Sequence, residues 1–464
     1  MYVVAHIVMA VWIPTVLVLF AVLPPRRAVI VSFLAAWLFL PMVTYPLPFV
    51  PDYSKMSATC AGVFMSTFIF DAKRILRFLP SWVDLPMLVF CLCPMISSLT
   101  NGLGIWDGTS GALSNVITWG LPYLIGRLYF TDARGLRELA VGIFIGGLLY
   151  LPLCLFEMRM SPKLHHLVYG FFARGVQMRY GGWRPAVFLD GGLELGMWMT
   201  GATLIAIWLW KAGSLKALWG ISATGLLIPL VITTIMCRAT GALVLLALGI
   251  AVMWACSVMK NRLALVCFLA IVPAYLCLRA TDVWHGEPIV SMAKWVSSDR
   301  AASLTFRLDN EDMLAARAAE QPWFGWGGWN RGRVRNEWGE FISITDGLWI
   351  IEFGQHGAIG LASCFMAMLM PLALLVRRFS ARRLCSAELA PALSLGVLVT
   401  LYAIDCLPNA MVNPVYMLAG GAVVSFALAS QSARESVKQD ESSRTGSTIL
   451  ADSIPPRRPF PVRA

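Results

Sequence analysis

A chain of 464 residues that is 58% hydrophobic and 14% charged, with a mean hydropathy of +0.70, lies outside the range of water-soluble domains, which run about 25% charged. Repeated apolar runs of about 20 residues predict a polytopic membrane protein and exclude an ordinary soluble enzyme. The net charge of +11 requires no nucleic acid partner, because Lys and Arg gather in the cytoplasmic loops of membrane proteins.

In chain order the apolar runs predict an all-α bundle of about thirteen spans, near 3–23, 28–43, 56–71, 82–98, 112–130, 136–156, 192–210, 217–237, 239–259, 263–279, 347–375, 386–407 and 413–430. The first run is too long for a signal peptide and has neither a basic start nor a small-residue cleavage site, so no cleavable leader is expected. Every second connection is basic: Arg26 and Arg27, then Lys73, Arg74 and Arg77, then Arg134 and Arg137, then Lys211 and Lys216, then Lys260 and Arg262, then Arg377, Arg378, Arg382 and Arg383. That alternation predicts that the N-terminus lies outside and the C-terminus in the cytoplasm. The eleven cysteines all lie in or beside apolar runs and read as small buried hydrophobes, not as a disulfide framework or metal site. The final segment, 431–464, is polar, ends in Pro455-Pro456-Arg457-Arg458-Pro459, and reads as a disordered cytoplasmic tail suited to anionic lipid.

Two predicted outer segments break the pattern. The first, 157–190, begins at Glu157 and carries Arg159, Lys163, Arg174, Arg179 and Arg184, whereas the outer connections after the second, fourth and twelfth runs hold Lys55 and nothing else basic. Five cations kept outside against the orientation bias favour an anion site over an ordinary basic loop. The second, 281–346, is a polar stretch of about 65 residues between apolar runs, and such long structured loops carry function. It holds Arg307 on a predicted helix over 307–320, then Pro322-Trp323-Phe324-Gly325-Trp326-Gly327-Gly328-Trp329, then Arg331, Arg333 and Arg335, and closes on Asp346. Its tryptophans, Trp326 and Trp329 among them, fit either interfacial anchors or platforms for sugar stacking. Asp346 fits a helix N-cap or a base. Arg238, in a short turn whose Gly241 is expected to let backbones approach, fits a snorkelling charge or one facing the bundle mouth. His356 and Glu352, inside the run that follows, are intramembrane candidates or helix-to-helix hydrogen-bond partners.

Three places together resemble the O-antigen ligase and O-antigen polymerase superfamily of bacterial envelope glycosyltransferases. Cys237-Arg238-Ala239-Thr240-Gly241 resembles its Ser-Arg-small turn at a helix start. Arg307, followed by Pro322 and Phe324-Gly325-Trp326-Gly327, resembles its arginine, helix, Pro, Gly-x-Gly pattern. Asp346-Gly347-Leu348-Trp349-Ile350, with Gly357 and Gly360, resembles the start of the helix after its large outer loop. The likeness spans about 136–375. The chain has Asp346 where the ligases carry histidine, Gly347 where asparagine is usual and Gln355 where glutamate is usual, which makes a polymerase of O-antigen or exopolysaccharide the better fit.

What the resemblance implies is a glycosyltransferase using a glycan on a polyprenyl diphosphate as donor and a second glycan as acceptor, at the outer leaflet, with inversion and without a nucleotide sugar, metal or other cofactor. Arg238 and Arg307, with Asp346 as base, would carry the chemistry, and Arg184, Arg179, Glu157, Trp326 and Trp329 would bind substrate. Arginine suits the role because its fork matches phosphate oxygens and stays charged in a low-dielectric site. Expected partners are the two glycans, membrane lipids and envelope polysaccharide export or assembly proteins. A ligase, a transporter or flippase of the lipid-linked glycan, and an inactive assembly partner are the competing classes.

Overall fold

The computed structural model describes residues 2–47, 51–281, 283–296 and 298–430, so the predicted tail 431–464 lies outside the described residues. Within them the architecture is an all-α bundle with three two-stranded hairpins. Seven helices are long and apolar enough to cross a membrane: Val3–Val22, Trp82–Thr100, Ala133–Met160, Gly192–Lys211, Thr240–Met259, Leu263–Ala280 and Leu348–Arg378. Four more are apolar but shorter: Lys55–Phe70, Ala223–Met236, Ala390–Asp405 and Pro414–Ser430.

The count of about thirteen spans therefore needs correction. The run 28–43 contributes only the fifteen-residue helix Pro25–Phe39, about 22 Å long at 1.5 Å per residue, against a hydrocarbon core of about 30 Å. The run 112–130 is not one regular α-helix. It comprises the end of Ile105–Asn115, a π-helical turn at Val116–Gly120 and the short helix Leu121–Tyr129. The backbone stays right-handed helical through Asn115, Val116, Gly120 and Leu121, so these pieces form one continuous helical stretch with a π turn in it, and none of the three is by itself long enough to cross a membrane.

Several of the basic connections touch one another or the helix ends beside them. Arg26 meets Asp132 and donates to the Tyr129 carbonyl, Arg74 donates to the Leu128 carbonyl, Arg137 to Ser214 and Arg262 to Val376. The poorly basic connections likewise meet the long polar segment, through Asp107 with Arg331 and Asn101 with Gly325.

The helix Gly192–Lys211 is the axis of the packing, 83% buried against Ala133–Met160, Ala223–Met236, Thr240–Met259 and Ala390–Asp405. Small residues set the closest crossing. A Cβ on Gly126 would lie 2.1 Å from the Leu418 carbonyl oxygen, and one on Gly421 2.0 Å from that of Tyr123, so Leu121–Tyr129 and Pro414–Ser430 touch backbone to backbone. Beside this crossing Arg127 grips Asp84 with two hydrogen bonds, of 2.8 and 2.9 Å, and Tyr123 adds a third at 2.7 Å.

The long polar segment is helical over Glu287–Val296 and Ser298–Ala319, wider than the predicted 307–320. Arg279, at the end of the helix Leu263–Ala280, holds it down through Glu311 at 3.1 Å and Asp312 at 2.7 Å. The following turn then inserts into the next span. The Trp326 and Gly327 amides donate to the Gly354 and Gln355 carbonyls, and the Ala358 amide donates to that of Pro322. These bonds replace the ones lost at Gly357 (φ 65°, ψ −165°), where the helix Leu348–Arg378 breaks. Gly357 and Gly325 have no room for a side chain, since a Cβ would meet the other segment's backbone at 2.3 and 2.5 Å.

Candidate functional site

The two unusual segments line one cavity of about 560 Å³. Arg174, Gln177 and Asp190 come from the first, and Arg307, Thr345 and Asp346 from the second. Lys55 and Glu194, at the heads of two apolar helices, close the wall, with Trp37 beside them. Lys55 is buried, donates to the Trp37 carbonyl at 3.3 Å and sits 4.4 Å over the Trp37 ring. The lining carries three cations (Lys55, Arg174, Arg307) and three carboxylates (Asp190, Glu194, Asp346).

The pairings decide which cations a ligand can recruit. Arg307 approaches Asp346 at 3.3 Å, Nε to Oδ2, with side chains 34% and 40% exposed, and its Nη1 donates to the Pro408 carbonyl at 3.3 Å. Arg174 meets Asp190 at 2.8 Å and is more exposed still. Such pairs contribute about 0–1 kcal/mol, so an incoming anion replaces them at little cost. The buried two-pronged grip of Arg127 on Asp84 belongs to the opposite class. Asp346 is thus brought to Arg307, and Gly347 follows because a Cβ there would sit 2.1 Å from the Leu407 carbonyl oxygen. This close approach explains glycine at that position.

Arg184 lies behind the cavity wall in a neighbouring pocket of about 30 Å³ that shares Arg174, Gln177, Gly191 and Gly192 with it. The residue is 2% exposed and donates to Gln177 Oε1 at 3.4 Å, while Nε and Nη2 have no partner among the described residues. Burial, then the nearby Arg179 charge, lowers its pKa from 12.5 to about 10, so it stays charged at neutral pH. A buried cation with two unsatisfied donors is costly on its own and suits an anion.

The remaining predicted residues have other neighbours. Glu157 is 1% exposed and accepts three backbone N–H groups, from Leu164 at 2.9 Å and from Ala186 and Val187 at 2.8 Å each. It fastens both ends of the basic loop. Arg238, in left-handed backbone (φ 57°), donates to the Arg179 and Tyr180 carbonyls at the tip of the hairpin Met178–Arg179/Gly182–Trp183. Its guanidinium lies flat against Gly182. Neither Arg238 nor Arg179 lines the main cavity, so the structure does not bring Arg238 to Arg307. Nothing lies within 4 Å of a Cβ built on Gly241, contrary to the close approach expected there. Trp326 is held by the helix before it: its indole N–H donates to the Arg317 carbonyl at 2.9 Å and Arg317 stacks 3.6 Å above its ring. Trp329 is exposed and lines a second cavity together with His356.

Lys55, Asp190 and Glu194 are site residues that the sequence reading did not select. Lys55 left a signal, as the lone cation of the connections after the second, fourth and twelfth apolar runs. Glu194 left a weaker one, as an acid inside the first turn of an apolar helix. The chain matches no protein-family model and no curated protein sequence.

Proposed function

We propose that the chain is a membrane glycan polymerase. It transfers a polyprenyl-diphosphate-linked oligosaccharide to a growing exopolysaccharide or O-antigen chain at the outer leaflet of the bacterial inner membrane. The observation that carries this reading is the convergence of Lys55, Arg174 and Arg307 on one cavity, backed by the unsatisfied guanidinium of Arg184. A diphosphate leaving group needs that charge, because its own charge grows as the glycosidic bond breaks.

In this reading Arg307 and Arg174 exchange their carboxylate partners for phosphate oxygens, and Arg184 supports them from behind Gly192. Release from Arg307 frees Asp346, which takes the proton of the acceptor hydroxyl. The acceptor oxygen bonds to the anomeric carbon on the face opposite the diphosphate. The old carbon–oxygen bond breaks with its electron pair going to the diphosphate, and the configuration inverts. The N-terminus and the 281–346 segment lie outside and the C-terminus in the cytoplasm, following the alternation of basic connections.

Deletion of the chain from its own cells tests the reading. Surface glycan should shrink to single repeat units, and wild-type chain should restore its length. Unchanged glycan length in the deletion strain would overturn it.

A further inference from the structure

A second cavity, also of about 560 Å³, opens on the other side of the hairpin Thr44–Tyr45/Tyr53–Ser54, whose Thr44 and Ser54 line both cavities. Its chemistry differs from the first. Its Asp107 already holds Arg331 at 3.3 Å and accepts the Ser98 hydroxyl at 2.8 Å. Its His356 is bound through Nδ1 to Glu352 at 2.6 Å. Asp107 and His356 are held by close contacts, and Asp52, the other charged residue of the lining, is itself acidic, so the space offers an anionic ligand little. What it offers instead is hydroxyls and an aromatic face. Ser110 and Ser114 stand one turn apart on the helix Ile105–Asn115, and Thr118 continues their row. Trp329 is 76% exposed, and its backbone sits in the left-handed region (φ 60°), which bulky residues rarely adopt. The turn presents the indole instead of burying it.

We infer that this second cavity is a subsite for the neutral sugar residues of the glycan, with Trp329 as stacking platform and His356, oriented by Glu352, as a hydrogen-bonding positioning residue. Sugars carry C–H faces that pack on flat aromatic rings and hydroxyl edges that need paired donors and acceptors. A lipid tail would find too many hydroxyls here, and an anion would find no unpaired cation. The Glu352 carboxylate fixes the imidazole through Nδ1 and leaves Nε2 as the nitrogen available to a sugar hydroxyl. The inference rests on the proposed glycan transfer, since it assigns the sugar part of that substrate to a place apart from the diphosphate.

The test uses full-length protein with two readouts: glycan length in the complemented deletion strain, and the thermal shift that inorganic pyrophosphate gives the purified protein through the first cavity. Trp329→Ala should reduce chain extension roughly two- to tenfold, the range for one lost stacking contact, and Trp329→Phe should recover most of it. Ser114→Trp, which fills the cavity from an exposed helix position, should reduce extension at least as strongly. The pyrophosphate shift should stay as in wild type for all three, which also shows that they fold. Normal glycan length in Trp329→Ala and Ser114→Trp, with a short-glycan deletion strain and an intact pyrophosphate shift, would overturn the subsite and leave the transferase standing. A deletion strain with normal glycan would instead sink the transferase, and the subsite with it.

Discussion

Replacing Glu157 separates a fastener from a substrate ligand. Its two oxygens accept three backbone N–H groups, one on Oε1 and two on Oε2. Glutamine keeps one oxygen and turns the other into an N–H₂ donor. It will orient its oxygen toward Ala186 and Val187 and leave the Leu164 N–H unpaired. One orphaned buried N–H costs about 1–3 kcal/mol, against two in the opposite orientation. Alanine orphans all three donors and should cost about 3 kcal/mol or more. At 1.4 kcal/mol per tenfold, Glu157→Gln should make opening of the basic loop roughly 5- to 150-fold more frequent, and Glu157→Ala still more so. Trypsin reads this directly, because Arg174 and Arg179 lie in that loop and cleavage follows the open population when closing is fast. Tryptic rates within twofold of wild type for both variants would refute the fastener. Lost glycan extension at normal tryptic rates would restore Glu157 to the substrate.

Three further outcomes follow from particular contacts. Gly126→Ala must push its methyl into the Leu418 carbonyl, a backbone atom that cannot swing aside, and should cost about 1–3 kcal/mol or more, read as a lower melting temperature. Gly241→Ala, with open space around it, should change the melting temperature little. Arg184→Met removes a buried charge with two unsatisfied donors and should raise the melting temperature while abolishing much of the pyrophosphate shift, whereas a purely structural Arg184 would lose stability on substitution. Because Arg184 titrates at about 10, held down by burial first, its share of that shift should persist at neutral pH, where the group is charged, and be lost as pH rises through that value.

What the sequence made legible was whatever rests on composition along the chain. The alternation of basic connections marked the loops as two sets, and contacts such as Arg26 with Asp132 and Asp107 with Arg331 join loops of the same set. The pairing of the 157–190 and 281–346 segments over one cavity was legible from their shared departure from the pattern. What escaped depends on contacts between distant segments. Gly357 sits in an apolar run that reads as one span, and only the turn at Pro322–Gly327 supplies the hydrogen bonds that let it break. The π turn at Val116–Gly120 escaped as well, because it leaves hydropathy unchanged. Arg238 and Arg307 stand on similar footing in sequence, yet a hairpin tip engages one and a cavity receives the other.

The most direct measurement of the central claim is transfer in a purified system. The protein is reconstituted into lipid vesicles with the polyprenyl-diphosphate oligosaccharide extracted from its own cells, and products are sized over time. Wild type should yield a ladder of lengthening glycans with release of the polyprenyl diphosphate. Arg307→Lys should yield almost none, because lysine keeps the charge and loses the fork that grips phosphate oxygens. Donor that remains intact with active-folded wild type, or a full ladder from Arg307→Lys, would contradict the account.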